Sequence, residues 1–144
     1  MLAGAIHNVE GSAAKSEKDG SGAVEAWASW SILNLGWYQS FSDAPPQSHE
    51  IQFYVPAGER VRAAIAWGSS YNSGTGKMEL WTDYDLAIYD QNGNYVTASA
   101  SYDMAQEVVE FVASSGGWYK ARIGLWSTTA GSEWLGFAYW HAPV

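Results

Sequence analysis

The sequence predicts an all-β protein: an antiparallel β-sandwich, or jelly roll, of about eight strands with a short N-terminal helical segment. From Gln39 onward, apolar and polar side chains alternate with the two-residue period of a strand. Turn signals rich in Gly, Pro and Asn separate these segments at short intervals. The 144 residues include 9 Trp, 9 Tyr and 15 Gly, and aromatic side chains favour a pleated, half-buried sheet surface.

The segment before this alternation predicts one helix, at residues 23–35. Val24, Trp27 and Trp30 recur at three-residue intervals among Ala and Glu, which is typical of an amphipathic helix of about three turns. Gly36 is well placed to end it, because glycine readily adopts the left-handed conformation that follows many helices.

The predicted strands follow in order along the chain. Residues 49–55 alternate and end at a Pro-Ala-Gly turn, and residues 60–67 alternate again with Arg60 and Arg62 pointing outward. Residues 68–78 are rich in Ser, Gly and Asn and predict a long loop. A Gln-Asn-Gly-Asn segment then predicts a hairpin turn. The other predicted strands flank or follow that turn, at residues 85–90, 95–100, 107–112, 119–125 and 134–140.

Composition and charge exclude several classes of protein. Seven Lys and Arg against 15 Asp and Glu give a net charge of −8, which opposes contact with phosphate backbones, so we expect no nucleic acid partner. No apolar run reaches the ~18–20 residues of a membrane-spanning helix, so we expect no membrane partner. The chain has no cysteine, which excludes disulfides and thiolate metal sites.

The sequence contains no familiar arrangement of catalytic residues. It has no G-x-S-x-G motif, and His7, His49 and His141 show no spacing that pairs them with a serine and an aspartate. Two carboxylates on one strand, such as Asp83 and Asp85, are the alternative, because glycosidases use two carboxyl groups ~5–10 Å apart. A small sandwich has little room for the cleft that this chemistry needs, so we expect a non-catalytic protein.

An acidic stretch without basic residues lies between Met78 and Tyr119. It contains seven carboxylates and no Lys or Arg, and like charges held close together favour a hard divalent cation. Calcium accepts carboxylate oxygens in the irregular geometry that loops provide. The alternative is a solvated acidic surface. The predicted calcium ligands come from two loops: Asp83, Asp85, Asp103 and Glu107.

The nine tryptophans allow two interpretations. In the first, they build the core and the faces of a small sandwich. In the second, exposed indole rings form a platform on which sugar rings stack. The solvent exposure of four candidates separates the two interpretations: Trp81, Trp118, Trp126 and Trp134.

Two segments near the start, residues 2–11 and 16–26, resemble the end of the catalytic domain of a subtilisin-like serine protease. In that family, the helix carrying the nucleophilic serine ends in small residues like those at 2–5. A D-G-x-G-x-V stretch, like residues 19–24 here, and a closing helix follow it.

The rest of the chain resembles the β-jelly-roll that follows this catalytic domain in many secreted bacterial subtilases, of the pre-peptidase C-terminal or P-domain type. The matching segments are VRAAIAW at 61–67, TDYDL at 82–86, DQNG at 90–93 and EFVASSGGWY at 110–119. Three positions depart from the family pattern. Gly68 stands where the family often has Asp, Thr82 replaces Asn, and Ser115 stands near an expected Pro.

The resemblance implies that residues 1–35 are a remnant of the catalytic-domain tail and residues 36–144 are the jelly-roll domain. It implies a non-catalytic accessory domain of a secreted, extracellular protease, which stabilises the enzyme, often with calcium, and contacts protein substrate. The catalytic domain of the parent protease is then the main partner, and the catalytic triad lies upstream of this chain. The alternative is a carbohydrate-binding module of the same architecture, with polysaccharide as its partner.

Overall fold

The structure is a computed structural model that describes residue 3, residues 26–102 and residues 104–144. The helices and strands of this part of the chain are α1 (Ala26–Leu35), β1 (Tyr38–Asp43), β2 (His49–Val55), β3 (Glu59–Trp67), β4 (Ser70–Asn72), β5 (Lys77–Glu79), β6 (Thr82–Tyr89), β7 (Tyr95–Ser99), β8 (Gln106–Val112), β9 (Gly117–Thr128) and β10 (Glu133–Pro143). In the same residues, no helix is long and apolar enough to cross a bilayer.

Eight of these strands form two antiparallel sheets. One sheet has the order β1-β10-β3-β8, the other has the order β2-β9-β6-β7, and β4 and β5 form a separate two-stranded hairpin. Every neighbouring pair is antiparallel. The predicted all-β sandwich of about eight strands with one short helical segment is therefore confirmed.

The core lies between the two sheets and follows the predicted alternation. On β2, Ile51, Phe53 and Val55 are buried while the residues between them are exposed. On β9, the neighbouring strand of the same sheet, Tyr119 and Ile123 are buried in the same cluster of side chains. Burying one such side chain stabilises the folded state by about 1.5–3 kcal/mol, which makes the alternation itself the main determinant of this fold.

Strand β3 is buried on both faces, which differs from the prediction for its outward side. Ala64 is only 4% exposed, because Ala3 and Ile32 of α1 pack over it. Arg62 points outward as predicted but is only 2% exposed. It pairs in register with Glu110 on β8 and Trp140 on β10, and burial lowers the pKa of its guanidinium. The outer side of β3 is thus buried at Arg62 and Ala64.

Helix α1 ends as the sequence predicts. Gly36 has φ of 70°, and the N–H of Trp37 donates to the carbonyl of Ile32 at 2.9 Å, which is the 6→1 bond of a Schellman cap. The helix buries Ala28, Ser31 and Ile32. Its other face exposes Trp27 and Trp30, whose rings stack with centroids 4.9 Å apart.

The hairpin predicted between β6 and β7 is also confirmed. A carboxylate oxygen of Asp90 accepts the N–H groups of Asn92 and Asn94, each at 2.8 Å. Gly93 adopts φ of 81°, which only glycine reaches without strain. The long loop predicted at residues 68–78 is wrong in part, because β4 and β5 pair within it.

Candidate functional site

The predicted metal ligands Asp83 and Asp85 lie on β6, on either side of the buried core residue Tyr84. Because side chains alternate along a strand, both carboxylates project away from the core side of β6. Asp83 is nevertheless only 8% exposed. Its Oδ1 atom is buried and accepts no hydrogen bond. A buried carboxylate oxygen without a donor is costly, so this is the atom of the acidic region that a cation would satisfy.

Glu107 is the second residue of β8, which agrees with the strand predicted at residues 107–112 but not with the loop position expected for this calcium ligand, and it is 1% exposed. Its Oε2 atom accepts the hydroxyl of Ser99, and its Oε1 atom accepts the backbone N–H of Ser101 at 2.5 Å. The side chain therefore ties the segment after β7 to β8. Asp103, the fourth predicted ligand, lies outside the described residues.

Asp83, Asp85 and Glu107, which we call the acidic cluster, influence one another electrostatically. Burial raises the pKa of Asp83, and the charge of Asp85 raises it further. Burial also raises the pKa of Glu107 against the opposing effect of its hydrogen bonds with Ser99 and Ser101, and Asp85 adds to the increase. The charge of Asp85 thus raises the pKa of both buried carboxylates, and a cation beside Asp85 would offset this repulsion.

The acidic cluster fits a calcium ion only in part. Within residue 3 and the ranges 26–102 and 104–144, no three His, Asp or Glu side chains are arranged to hold a metal ion. Asp83 offers an oxygen without a donor and Asp85 lies beside it, whereas both oxygens of Glu107 already accept hydrogen bonds. The carboxylate oxygens of Asp83 and Asp85 are of the chemical type that a hard cation prefers.

Gly68, which stands where the resembling family often has Asp, adjoins a carboxylate from another strand. Its N–H donates to Oε1 of Glu133 at 3.0 Å. A Cβ atom at position 68 would lie 2.5 Å from that same oxygen. Glu133, the first residue of β10, therefore places its carboxylate beside position 68. An Asp side chain at that position would displace it.

The four candidate tryptophans are all exposed, at 52% for Trp81, 56% for Trp118, 73% for Trp126 and 55% for Trp134. Trp81 precedes β6, and its carbonyl accepts the N–H of Thr129 at 2.7 Å. Trp126 lies nearby as the extra residue of a β-bulge, because Asp83 pairs with Ser127 and the next pair is Tyr84 with Leu125. A bulge turns a side chain out of the regular alternation, and this one presents the indole to solvent.

Trp134 belongs to the same end of the sandwich, whereas Trp118 does not. Trp134 precedes Leu135, which pairs with Trp67 at the end of β3, and the Trp67 indole N–H donates to the Thr82 carbonyl at 2.7 Å. Trp118 lies at the opposite end, near the start of β9. The structure therefore brings three of the four candidates to one end and leaves Trp118 separate.

Trp118 borders a groove that the sequence analysis did not identify. The groove has a volume of about 700 Å³ and lies on the outer face of the sheet β2-β9-β6-β7. Its lining includes Gln52, Tyr89, Gln91, Trp118, Lys120 and Arg122. Alternation on β2 and β9 could have placed the polar residues outward. The register that sets Gln52 opposite Lys120 depends on pairing between distant strands, which no local pattern specifies.

Comparisons with known proteins identify no family for this chain. No family model and no curated protein matches it. Among solved structures, it is similar to the acidic stable capsid structure of Helicobacter pylori bacteriophage KHP30, with a TM-score of 0.35 and 8% identity. That similarity covers 74% of this chain and 94% of the capsid chain. A similarity at this level supports no argument about function, so the resemblance to subtilases stays a prediction.

Proposed function

We propose that this chain is a non-catalytic accessory domain of a secreted subtilisin-like protease, which stabilises the enzyme with the help of calcium and contacts protein substrate. The observation that supports this most is the position of α1. None of its residues belongs to the main core between the sheets. The helix lies on the outer face of the sheet β1-β10-β3-β8, where Ile32 packs with Ala64. Its Ile32 side chain belongs to a small cluster separate from the main core, which supports interpreting the helix as an addition to the sandwich.

The outward face of α1 is apolar, which suits contact with another folded domain. We call Trp27, Trp30 and Leu33 the helix stripe; they are 65%, 51% and 70% exposed. A contiguous apolar patch of this kind is a typical interaction surface. In the proposal its partner is the catalytic domain, since the resemblance assigns residues 1–35 to the tail of that domain. The stripe is then a buried contact in the complete protease.

Calcium is the second part of the proposal and rests on the acidic cluster. A cation beside Asp83 would satisfy the oxygen that lacks a donor and offset the repulsion from Asp85. When bound, the ion would contribute fixed positive charge beside Asp83 and Asp85 on β6. Ligand binding to the folded state alone stabilises that state by mass action.

The proposal is tested in the complete protease, in which we expect a catalytic domain ahead of residue 1. Removal of residues 36–144 should shorten the half-life of activity at elevated temperature at least about tenfold. Such a loss corresponds to about 1.4 kcal/mol in the barrier to inactivation. The kcat/KM for a short peptide ester should change less than about twofold. An unchanged half-life contradicts the stabilising role. Loss of turnover by the shortened protease at low temperature, where it stays folded, contradicts the non-catalytic role.

Carbohydrate binding is a second candidate function, favoured by the exposure of all four predicted tryptophans. An aromatic ring kept exposed on a rigid strand or bulge is well suited to stack on a sugar ring. The test is quenching of intrinsic fluorescence by soluble oligosaccharides. Saturable quenching that a single exposed Trp→Ala change abolishes would support this function, and its absence across neutral and acidic sugars would contradict it.

A further inference from the structure

We infer that the groove beside Trp118 binds an acidic oligosaccharide, by stacking a sugar ring on Trp118 and pairing a uronate carboxylate with Arg122. This inference rests on the carbohydrate-binding candidate and goes beyond the role in a protease. It concerns the outer face of the sheet β2-β9-β6-β7, away from the helix stripe and from the tryptophans at the other end.

Strand register builds the floor of the groove. Gln52 on β2 lies directly opposite Lys120 on β9, and Tyr89 on β6 pairs with Lys120 from the other side. Two residues further along β9, Arg122 follows on the same outer face. Directly opposed side chains on neighbouring strands lie about 4.5–5.5 Å apart, so these groups form one continuous row across three strands.

An aromatic surface lies beside this row, two residues before Lys120 on β9. Trp118 is 56% exposed, and the half-exposed Tyr54 on β2 meets it edge-on at 5.8 Å between ring centroids. This contact restricts the indole, which is still more than half exposed to solvent. The face of an indole suits the C–H surface of a pyranose ring, so the groove offers a fixed stacking position.

The geometry of the Arg122 guanidinium, and not net charge, suits a carboxylate on the ligand, because Glu50 and Asp90 balance the charges of Lys120 and Arg122. Lys120 Nζ and Arg122 Nε both lie 3.2 Å from the carboxylate of Glu50, so two cations share one acidic partner. The guanidinium of Arg122 also lies over the Tyr89 ring, 5.6 Å from its centroid. This leaves the terminal N–H groups of Arg122 without an acceptor among the described residues, and such a fork binds a carboxylate through two parallel hydrogen bonds.

The other acidic residue of the groove does not compete for these donors. Asp90 accepts hydrogen bonds from the N–H groups of Asn92 and Asn94 and from the Asn94 side chain. Its carboxylate is thus committed to the hairpin turn. The amides of Gln52 and Gln91 can each donate and accept, which suits sugar hydroxyls. A uronate residue can use the Trp118 indole, the Arg122 guanidinium and the glutamine amides together. A neutral sugar has no carboxylate to pair with the guanidinium.

Calorimetric titration with oligogalacturonate, oligoguluronate and oligoglucuronate, each beside its neutral methyl ester, tests this inference on the full chain. We expect at least one acid to bind and its ester to bind about tenfold more weakly. Trp118→Ala should weaken binding of both forms about tenfold. Arg122→Gln should weaken only the acid, which removes the preference. The matched controls Trp126→Ala and Arg60→Gln should change Kd less than about twofold.

Each other outcome overturns the inference in a distinguishable way. Equal binding of acid and ester keeps carbohydrate binding but refutes the acidic class. Weakened binding in Trp126→Ala, with Trp118→Ala unaffected, moves the sugar site to the opposite end. Equally tight binding of poly-glutamate means that the groove recognises acidic polypeptides instead. Binding of none of these ligands refutes both this inference and the carbohydrate-binding candidate, while the proposed role in a protease stands on its own test.

Discussion

The two outer faces of the sandwich differ in what lies on them. On the sheet β1-β10-β3-β8, α1 covers Ala64, and Arg62 is buried beside it. On the sheet β2-β9-β6-β7, Lys120 and Arg122 remain exposed along an open groove. Small apolar side chains on one outer face allow a helix to pack against it, and long polar side chains leave the other face exposed to solvent. A neighbouring domain is accordingly proposed for the face that carries α1, and a ligand for the open face.

The largest expected effect comes from placing the same charge on each face. Ala64→Asp puts an unpaired carboxylate under α1 and should lower the free energy of unfolding by at least about 3 kcal/mol. Ala87→Asp, on the open face opposite Arg122, should change it by less than about 0.5 kcal/mol. Urea denaturation measures both. Equal effects of the two substitutions would refute the contrast between the faces.

Calcium should stabilise the protein through the acidic cluster. At a free concentration of about 100 times Kd, the free energy of unfolding should rise by ~2.7 kcal/mol and Tm by several degrees. Magnesium should do less, because it sheds water reluctantly and demands octahedral geometry. Asp83→Asn should abolish the response, and Glu50→Gln, outside the cluster, should retain it. Identical melting curves in chelator and in millimolar calcium would leave only a solvated acidic surface.

Removal of residues 1–35 should leave a folded sandwich of lower stability. The deletion uncovers Ala64 and loses the burial of Ile32, which costs about 1.5–3 kcal/mol, or about 5–10 °C in Tm. Trp37 stays and keeps its ring stacked on Tyr139 and His141. Thermal unfolding followed by circular dichroism should remain cooperative. A broad, non-cooperative transition would place the domain boundary elsewhere.

The smallest effect is a pH dependence in metal-free protein. Folding raises the pKa of Asp83 and Glu107 above their ordinary values of 3.8 and 4.5. Their contribution to stability is therefore complete below these values and is lost as pH rises through the raised pKa. In chelator, stability should increase as pH falls from 7 toward about 5, and Asp83→Asn should reduce the increase. The same pH slope in both proteins would exclude Asp83 as its source.

Local pattern predicted much of the fold but not the parts that depend on distant pairing. The hairpin at Gly93 and the helix end at Gly36 follow from nearby residues, and both are confirmed. Strand β1 was not assigned within the alternation that starts at Gln39, because it is an edge strand with no fully buried residue and its mostly polar side chains mark it weakly. The burial of Arg62 was not predictable either, since it depends on which strands flank β3 and on the layer packed over that sheet.

In the candidate sites too, features set by nearby residues were predicted and features set by pairing between distant strands were not. The exposure of Trp126 arises from a bulge in its pairing with β6, and a bulge has no clear local signal. Asp83 and Asp85 were predicted together because one strand places them two residues apart. Glu107 reaches their neighbourhood through a different strand, and its oxygens turn out to be engaged with Ser99 and Ser101. The relative positions of side chains within one strand could be predicted from the sequence. Contacts between side chains of different strands required the structure.

The central claim is that the helix stripe docks on a catalytic domain while the opposite face stays open. Hydroxyl-radical labelling of individual tryptophans, read by mass spectrometry in this chain and in the complete protease, tests it most directly. Trp27 and Trp30 should react at least about tenfold more slowly in the complete protease, because a docked surface excludes water. Trp118 should react equally in both proteins. Equal labelling of Trp27 and Trp30 in the two proteins would contradict the claim.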